Sequence, residues 1–325
     1  DSYRYHNALV ATKPLTSAHR DEIKAKWATC ATEAEFLTWV GTYLTGKGYE
    51  LKDSYTLGYS SDPQTWDVLA TSKAVDSEAL VNTYDGLVEY DAEGNLKPAL
   101  AESWTVSEDG LTYTFKIREG AIWTDVQGNK VADVKADDFV AGFQHMMDAA
   151  GGLEYLVQGL IVNASEYYTQ ASTGVEVKWE DVGFKKVDDM TIQVVLKSPA
   201  NATLVMRHFS TTVTGPVYQP LFEKCLAADG ASTTYGTAID KIISSGAYKL
   251  AQWVDGASYV FEKNENFAKA DEIALDGVTL TVVEDAGTRL QMFEKGELDS
   301  VGLDAAGRDK YGDDPRVSNE MGRRV

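Results

Sequence analysis

Apolar and polar residues alternate strictly over 111–118. Leu111, Tyr113, Phe115 and Ile117 fall on one side, and Thr112, Thr114, Lys116 and Arg118 on the other. That period of two predicts a half-buried strand. A turn over 107–110 joins it to a shorter strand around Trp104 and Val106. A second alternating strand is expected over 191–197, with Ile192, Val194 and Leu196 on its apolar face. Further strands are expected over 247–254, 258–262 and 278–283.

Elsewhere the period is helical. Ile23, Trp27 and Cys30 are spaced i, i+4 and i+7, and Thr32 with Glu35 forms a capping box. A stripe of Phe36, Leu37, Val40, Tyr43 and Leu44 follows, with Gly46 as a stop, so 18–45 reads as a helical hairpin. Helices are also expected over 77–87 and over 134–149, the latter with Phe139, Val140, Phe143, Met146 and Met147 on one face. Asp285 caps a last helix holding Leu290, Met292 and Phe293, closed by Gly296. Strands and helices intermingle without a regular βαβ repeat. The fold class is therefore α/β in the mixed α+β sense, with more than one sheet.

Composition narrows the function. The chain has 325 residues and a formal net charge of −20, which excludes nucleic acid as a partner because phosphate binding needs clustered Lys and Arg. Residues 1–53 carry 7 Lys/Arg and 7 Asp/Glu and are neutral, so the rest holds the whole charge. This shift marks a candidate boundary near Asp53. Cys30 and Cys225 show neither metal spacing nor CxxC; two buried thiols and one disulfide both remain open. No apolar run reaches the ~18 residues of a membrane span.

Catalytic patterns are missing. The sequence has no GxSxG, HExxH, Walker or GxGxxG element. The four histidines, His6, His19, His145 and His208, are scattered, and His145 reads as a satisfied residue of an apolar helix. Asp137 and Asp138 suit the positive end of their helix. The run from Asp91 to Glu102 starts like a calcium loop, but Leu96 stands where Gly is required and Pro98 spoils the path. Asn163 and Asn201 match glycosylation acceptors at chance level. No metal, cofactor or catalytic residue is expected. Aromatics are plentiful, and Tyr59, Trp66, Tyr84, Tyr155 and Trp253 sit near loops or strand ends, where both a binding cleft and core packing account for them.

The stretch "YDGLVEYDAEGNLKPALAESWTVSEDGLTYTFKIREGAIWTD" resembles the signature region of extracytoplasmic solute-binding proteins of peptide ABC transporters, the oligopeptide- and dipeptide-binding family. "DPQTWD", "VKADDFVAGFQHMMD", "SSGAYKLAQWVDG", "FEKNENF" and "TRLQMFEKGELD" resemble its other motifs in order, with Glu265 and Phe267 as departures. The resemblance covers residues 55 to about 303.

It implies a periplasmic-binding-protein-like fold of two lobes that close on a ligand. Domain I would hold 54–87 and 198–302, domain II 88–197, and domain III would begin near Leu303 with most of it absent. Residues 1–53 have no counterpart. The implied function is capture of short peptides outside the cytoplasmic membrane, by a lipid-anchored or periplasmic monomer that delivers them to membrane permease subunits of an ABC importer. A peptide-sensing or interaction role on the same scaffold is the alternative; nickel, haem and oligosaccharide binders are rarer branches. Ser72, Lys73 and Ala74 align with a loop that pairs with the ligand main chain. Ser245, Gly246 and Tyr248 align with a second cleft-lining element, where Gly246 also has a purely backbone reading. Tyr155 is a further candidate, with core packing as its other reading.

Overall fold

A computed structural model describes residues 9–90, 94–230, 232–314 and 316–317. The chain is mixed α/β and divides into two compact units. Unit 1 comprises Pro63–Trp253 and Phe261–Ala270; unit 2 comprises 9–62, Val254–Val260 and 271–317 of the described residues. Residues 88–197 share unit 1 with 63–87 and with most of 198–270, and the change of composition near Asp53 falls inside unit 2.

In unit 1, helix α1 (Ala74–Leu80) precedes strands β1 (Ala101–Val106) and β2 (Thr112–Ile117). Helix α2 (Ala136–Ala149) and strands β3 (Phe184–Asp188) and β4 (Thr191–Val195) follow. The four strands form an antiparallel sheet in the order β3-β4-β2-β1. Period-two alternation decides its faces. Tyr113, Phe115 and Ile117 of β2 are buried, and Phe115 pairs with Ile192 and Tyr113 with Val194, so the apolar residues align across strands. Leu111, at the end of the predicted stripe, is half-buried. Phe209 meets Tyr113 and Phe115 edge-on at 5.8 and 5.5 Å, and Phe143 of α2 stacks on Phe184 at 4.4 Å. Each such ring contributes about 1.5–3 kcal/mol on burial. The turn at 107–110 is closed by Gly110 N–H donating to the Ser107 carbonyl, and Gly110 takes φ +71°.

Helix α2 starts at Ala136, where the Lys135 N–H donates to the Asp138 carboxylate. That carboxylate also accepts from Trp123 Nε1 and Gln219 N–H. Asp138 thus does more than face the helix dipole: it ties three segments together. Burial pushes its pKa up, opposed by those donors. Phe139, Phe143, Met146 and Met147 are buried as expected, and Val140 is half-buried.

The helix expected over 77–87 lies at Ala74–Leu80 instead. Its stop has a tertiary cause. The carbonyls of Asn82 and Thr83 accept from Tyr248, Ser245 and Gly246 N–H groups, which pulls the chain out of helical geometry.

In unit 2, helices Ser17–Trp27 and Glu33–Gly46 form the expected hairpin, with Trp27 edge-on to Phe36 at 4.4 Å. They close over Val40, Leu44 and Tyr49. Thr32 Oγ1 accepts from Glu35 N–H, while the Glu35 carboxylate returns to Ala31 N–H, one residue earlier than the predicted box. Strand Ser54–Tyr59 pairs in parallel with Gly277–Val282. Asp285 caps Ala286–Glu294 through Thr288 N–H at 2.7 Å. Both cysteines are free thiols, and no helix among the described residues is long and apolar enough to cross a membrane.

Candidate functional site

The resemblance points to two segments of unit 1 and to Tyr155. The first segment begins at Asp67. Its Oδ1 accepts from Leu69 N–H and starts a 3₁₀ turn, Val68–Ala70. Thr71 and Lys73 are then extended, at φ −138°, ψ 146° and φ −78°, ψ 130°. Beneath them sits buried Asp76, which accepts from Thr71 Oγ1 at 2.6 Å and from Gln64 N–H at 2.7 Å. Lys73 N–H donates to Thr71 Oγ1. Ser72, Lys73 and Ala74 are exposed. The segment is thus a solvent-facing tip, extended at Lys73 and entering α1 at Ala74, on a base of buried hydrogen bonds.

Tyr155 lies on an adjoining loop. Helix α2 ends at Ala150 in the left-handed region, φ +48°. Gly151 then presses on Ala70: a Cβ there would lie 2.5 Å from the Ala70 carbonyl carbon, so only glycine fits. A Cβ on Gly152 would meet Ser72 Oγ at 3.0 Å. Buried Glu154 accepts the Gly152 N–H and pins the bend. Tyr155 is 68% exposed, so core packing does not account for it. The fold brings this loop against the first segment.

Ser245, Gly246 and Tyr248 are elsewhere in character. All three are buried. Ser245 and Gly246 N–H both donate to the Thr83 carbonyl, and Tyr248 N–H to that of Asn82. Asn264 Nδ2 donates to the Gly246 carbonyl, and Asp85 N–H to Ser245 Oγ. A Cβ on Gly246 would lie 2.7 Å from Tyr84 N. This backbone is committed to the protein itself.

His145 is a satisfied core residue: its Nε2 lies 2.6 Å from Asp67 Oδ2, with both side chains buried. Asp76 and Glu154 escape sequence reasoning, and Asp67 enters it only as the last residue of the DPQTWD motif. Only the glycine pair at 151–152 hinted at a tight approach there. A cavity of about 20 Å³ lined by Trp66, Asp67, Tyr84, Trp123 and Tyr235 has room for a water molecule and not for a peptide. Burial raises the Tyr235 phenol well above its usual range. Among the described residues no group of His, Cys, Asp and Glu could hold a metal ion.

The chain belongs to the bacterial extracellular solute-binding proteins, family 5, whose middle-region model matches residues 95–324. More particularly, it is 34% identical over 247 residues to the oligopeptide-binding protein SarA of Streptococcus gordonii, covering 75% of this chain and 36% of that protein. It is 32% identical over 259 residues to the oligopeptide-binding protein AliB of Streptococcus pneumoniae, covering 77% and 38%. The solved substrate-binding domain of an oligopeptide ABC transporter from Bacillus anthracis shares the fold, at TM-score 0.70 and 26% identity over 81% of this chain and 48% of that one. The chain spans less than two fifths of the length of the two curated relatives. The family is one of non-catalytic binding proteins that work outside the cytoplasm.

Proposed function

We propose that this chain supplies part of the peptide-capture surface of a protein that delivers short peptides to the permease subunits of an ABC importer. The observation that carries the reading is the exposed stretch 72–74, extended at Lys73 where α1 begins, on its buried base. Extended backbone offers N–H and C=O groups to an extended peptide, as an exposed strand edge does, and such pairing is indifferent to side chains. Ser72 and Ala74 pair with the peptide main chain, Lys73, whose N–H and C=O are taken by Thr71 Oγ1 and Ser77 N–H, presents its side chain to the peptide, and Tyr155 covers a peptide side chain with its ring. Ser245, Gly246 and Tyr248 act from behind, holding the wall on which that surface rests. The protein works as a monomer, lipid-anchored or periplasmic, without a cofactor or metal. Expected support also comes from the relatives named oligopeptide-binding.

The test is calorimetry of the full-length protein with a library of synthetic hexapeptides and with versions N-methylated at single backbone amides. Methylation at a paired amide weakens binding about tenfold, whereas side-chain exchange changes it by roughly threefold or less. Equal sensitivity to both, or no binding of any member, overturns the reading.

A further inference from the structure

The two loops that carry the exposed candidates are joined at a second point, deep beneath the surface. Asp67 and His145 are 78 residues apart, and their side chains are 4% and 2% exposed. His145 Nε2 donates to Asp67 Oδ2 at 2.6 Å, while Asp67 Oδ1 accepts from Leu69 N–H. Five residues beyond Asp67 is Ser72, at the exposed tip. Five residues beyond His145 is Ala150, where α2 turns into the left-handed bend. The segments meet again at Gly151 on Ala70 and Gly152 on Ser72. Helix α2 packs along the Val68–Ala70 turn, and Phe222 seals the imidazole with its ring centroid 4.4 Å away.

We infer that the Asp67–His145 pair is a positioning clamp that holds the 70–74 and 150–155 loops in register, and so sets peptide affinity without touching the peptide. This rests on the proposed peptide-capture reading. The pair acts by leverage. A capture loop binds tightly when its backbone is ordered before the ligand arrives, because the ordering entropy is then not lost on binding. Two loops fixed relative to each other at two separate points cannot pivot about either. The glycine approach gives close packing, which opposes collapse but not opening. The hydrogen bond opposes opening. A buried carboxylate that loses its donor is left with an uncompensated polar group, so the pair resists separation strongly. The nature of the residues matters too. An imidazole reaches Asp67 while presenting a flat apolar face to Phe222, which a longer charged side chain would not do.

The experiment compares wild type, His145→Leu, His145→Gln and the core control Phe143→Leu in the full-length protein. Three readouts are taken: affinity for the synthetic hexapeptide library, amide hydrogen exchange over 70–74 and 150–155, and melting temperature. Phe143 is buried against Phe184 of β3, so its variant reports stability through the packing of α2 on the sheet. Expected for His145→Leu is a loss of about tenfold in affinity with faster exchange in both loops. His145→Gln keeps a donor and restores affinity to within about threefold of wild type. Phe143→Leu lowers the melting temperature and leaves affinity and loop exchange as in wild type. A folded His145→Leu protein with wild-type affinity or wild-type loop exchange overturns the clamp. Should His145→Leu fail to fold, a His145→Gln affinity no better than that of an Asp67→Ala variant overturns it. Absence of peptide binding by wild type overturns the capture reading instead, and the exchange comparison then still decides the clamp.

Discussion

The segment at 72–74 and the segment at 245–248 reach the same expectation by the same route, since each matches a cleft-lining stretch of the family. In the fold they are opposites. Around 72–74 the side-chain hydrogen bonds run downward, from Thr71 and Gln64 to buried Asp76, and leave the tip in solvent, although Lys73 spends its N–H on Thr71 Oγ1 and its C=O on Ser77 N–H. At 245–248 the main-chain N–H groups of Ser245, Gly246 and Tyr248 are all spent on Asn82 and Thr83, and the side chains are buried. A motif match transfers a path of the backbone. Whether that backbone is available is decided by partners distant in sequence, and the difference is one of accounting for donors and acceptors.

The sharpest way to break the contrast is to truncate the buried segment. Tyr248→Ala removes a fully buried ring and costs about 3–5 kcal/mol in urea unfolding. A Tyr248→Ala protein of wild-type stability and weakened peptide binding would put 245–248 in the binding surface. Next in size is Gly246→Ala. Its new methyl would lie 2.7 Å from Tyr84 N and 2.9 Å from Tyr84 C, which are backbone atoms that cannot rotate away. A loss of roughly 1–3 kcal/mol is expected, read as a lower urea midpoint at unchanged slope.

These two cases show how far sequence reaches. Alternation over 111–117 forecast which side chains of β2 are buried, because a strand's faces follow from local geometry. Asp285 forecast its own helix start for the same reason. The helix expected over 77–87 came out at Ala74–Leu80 because Asn82 and Thr83 are claimed by residues some 165 positions away. The candidate site was legible as motifs but not as surface. Nothing local distinguishes Ser72, which is exposed, from Ser245, which is buried. Nor does any local pattern join Asp67 to His145, whose pairing needs the completed packing of α2 on the Val68–Ala70 turn.

A smaller effect sharpens the claim that the tip rests on a rigid base. Thr71→Val keeps the shape of a buried residue and deletes the hydroxyl that donates to Asp76 at 2.6 Å and accepts from Lys73 N–H. The expected cost is about 1–2 kcal/mol in chemical unfolding. Loop 72–74 should also exchange its amides faster while the sheet of β1 to β4 does not. Faster exchange in the sheet as well would mean that Asp76 supports the whole unit and not the tip.

Tyr155→Ala should have the least effect on folding and is the most direct probe of the contrast. The side chain is 68% exposed, and its loop is held by neighbours instead, through Glu154 on Gly152 and Gly151 on Ala70. Truncation therefore shifts stability by less than about 0.5 kcal/mol. Affinity responds differently, because an exposed aromatic beside an extended peptide gains area only when the peptide arrives. The expected result is a loss of roughly three- to tenfold for hexapeptides carrying apolar side chains, and little change for poly-glycine, measured by calorimetry. Equal losses for both would assign Tyr155 to the main chain, and no loss for either would leave 72–74 as the sole contact on this face. In contrast, a Tyr155→Ala protein that unfolds like Tyr248→Ala would erase the distinction between exposed tip and buried wall.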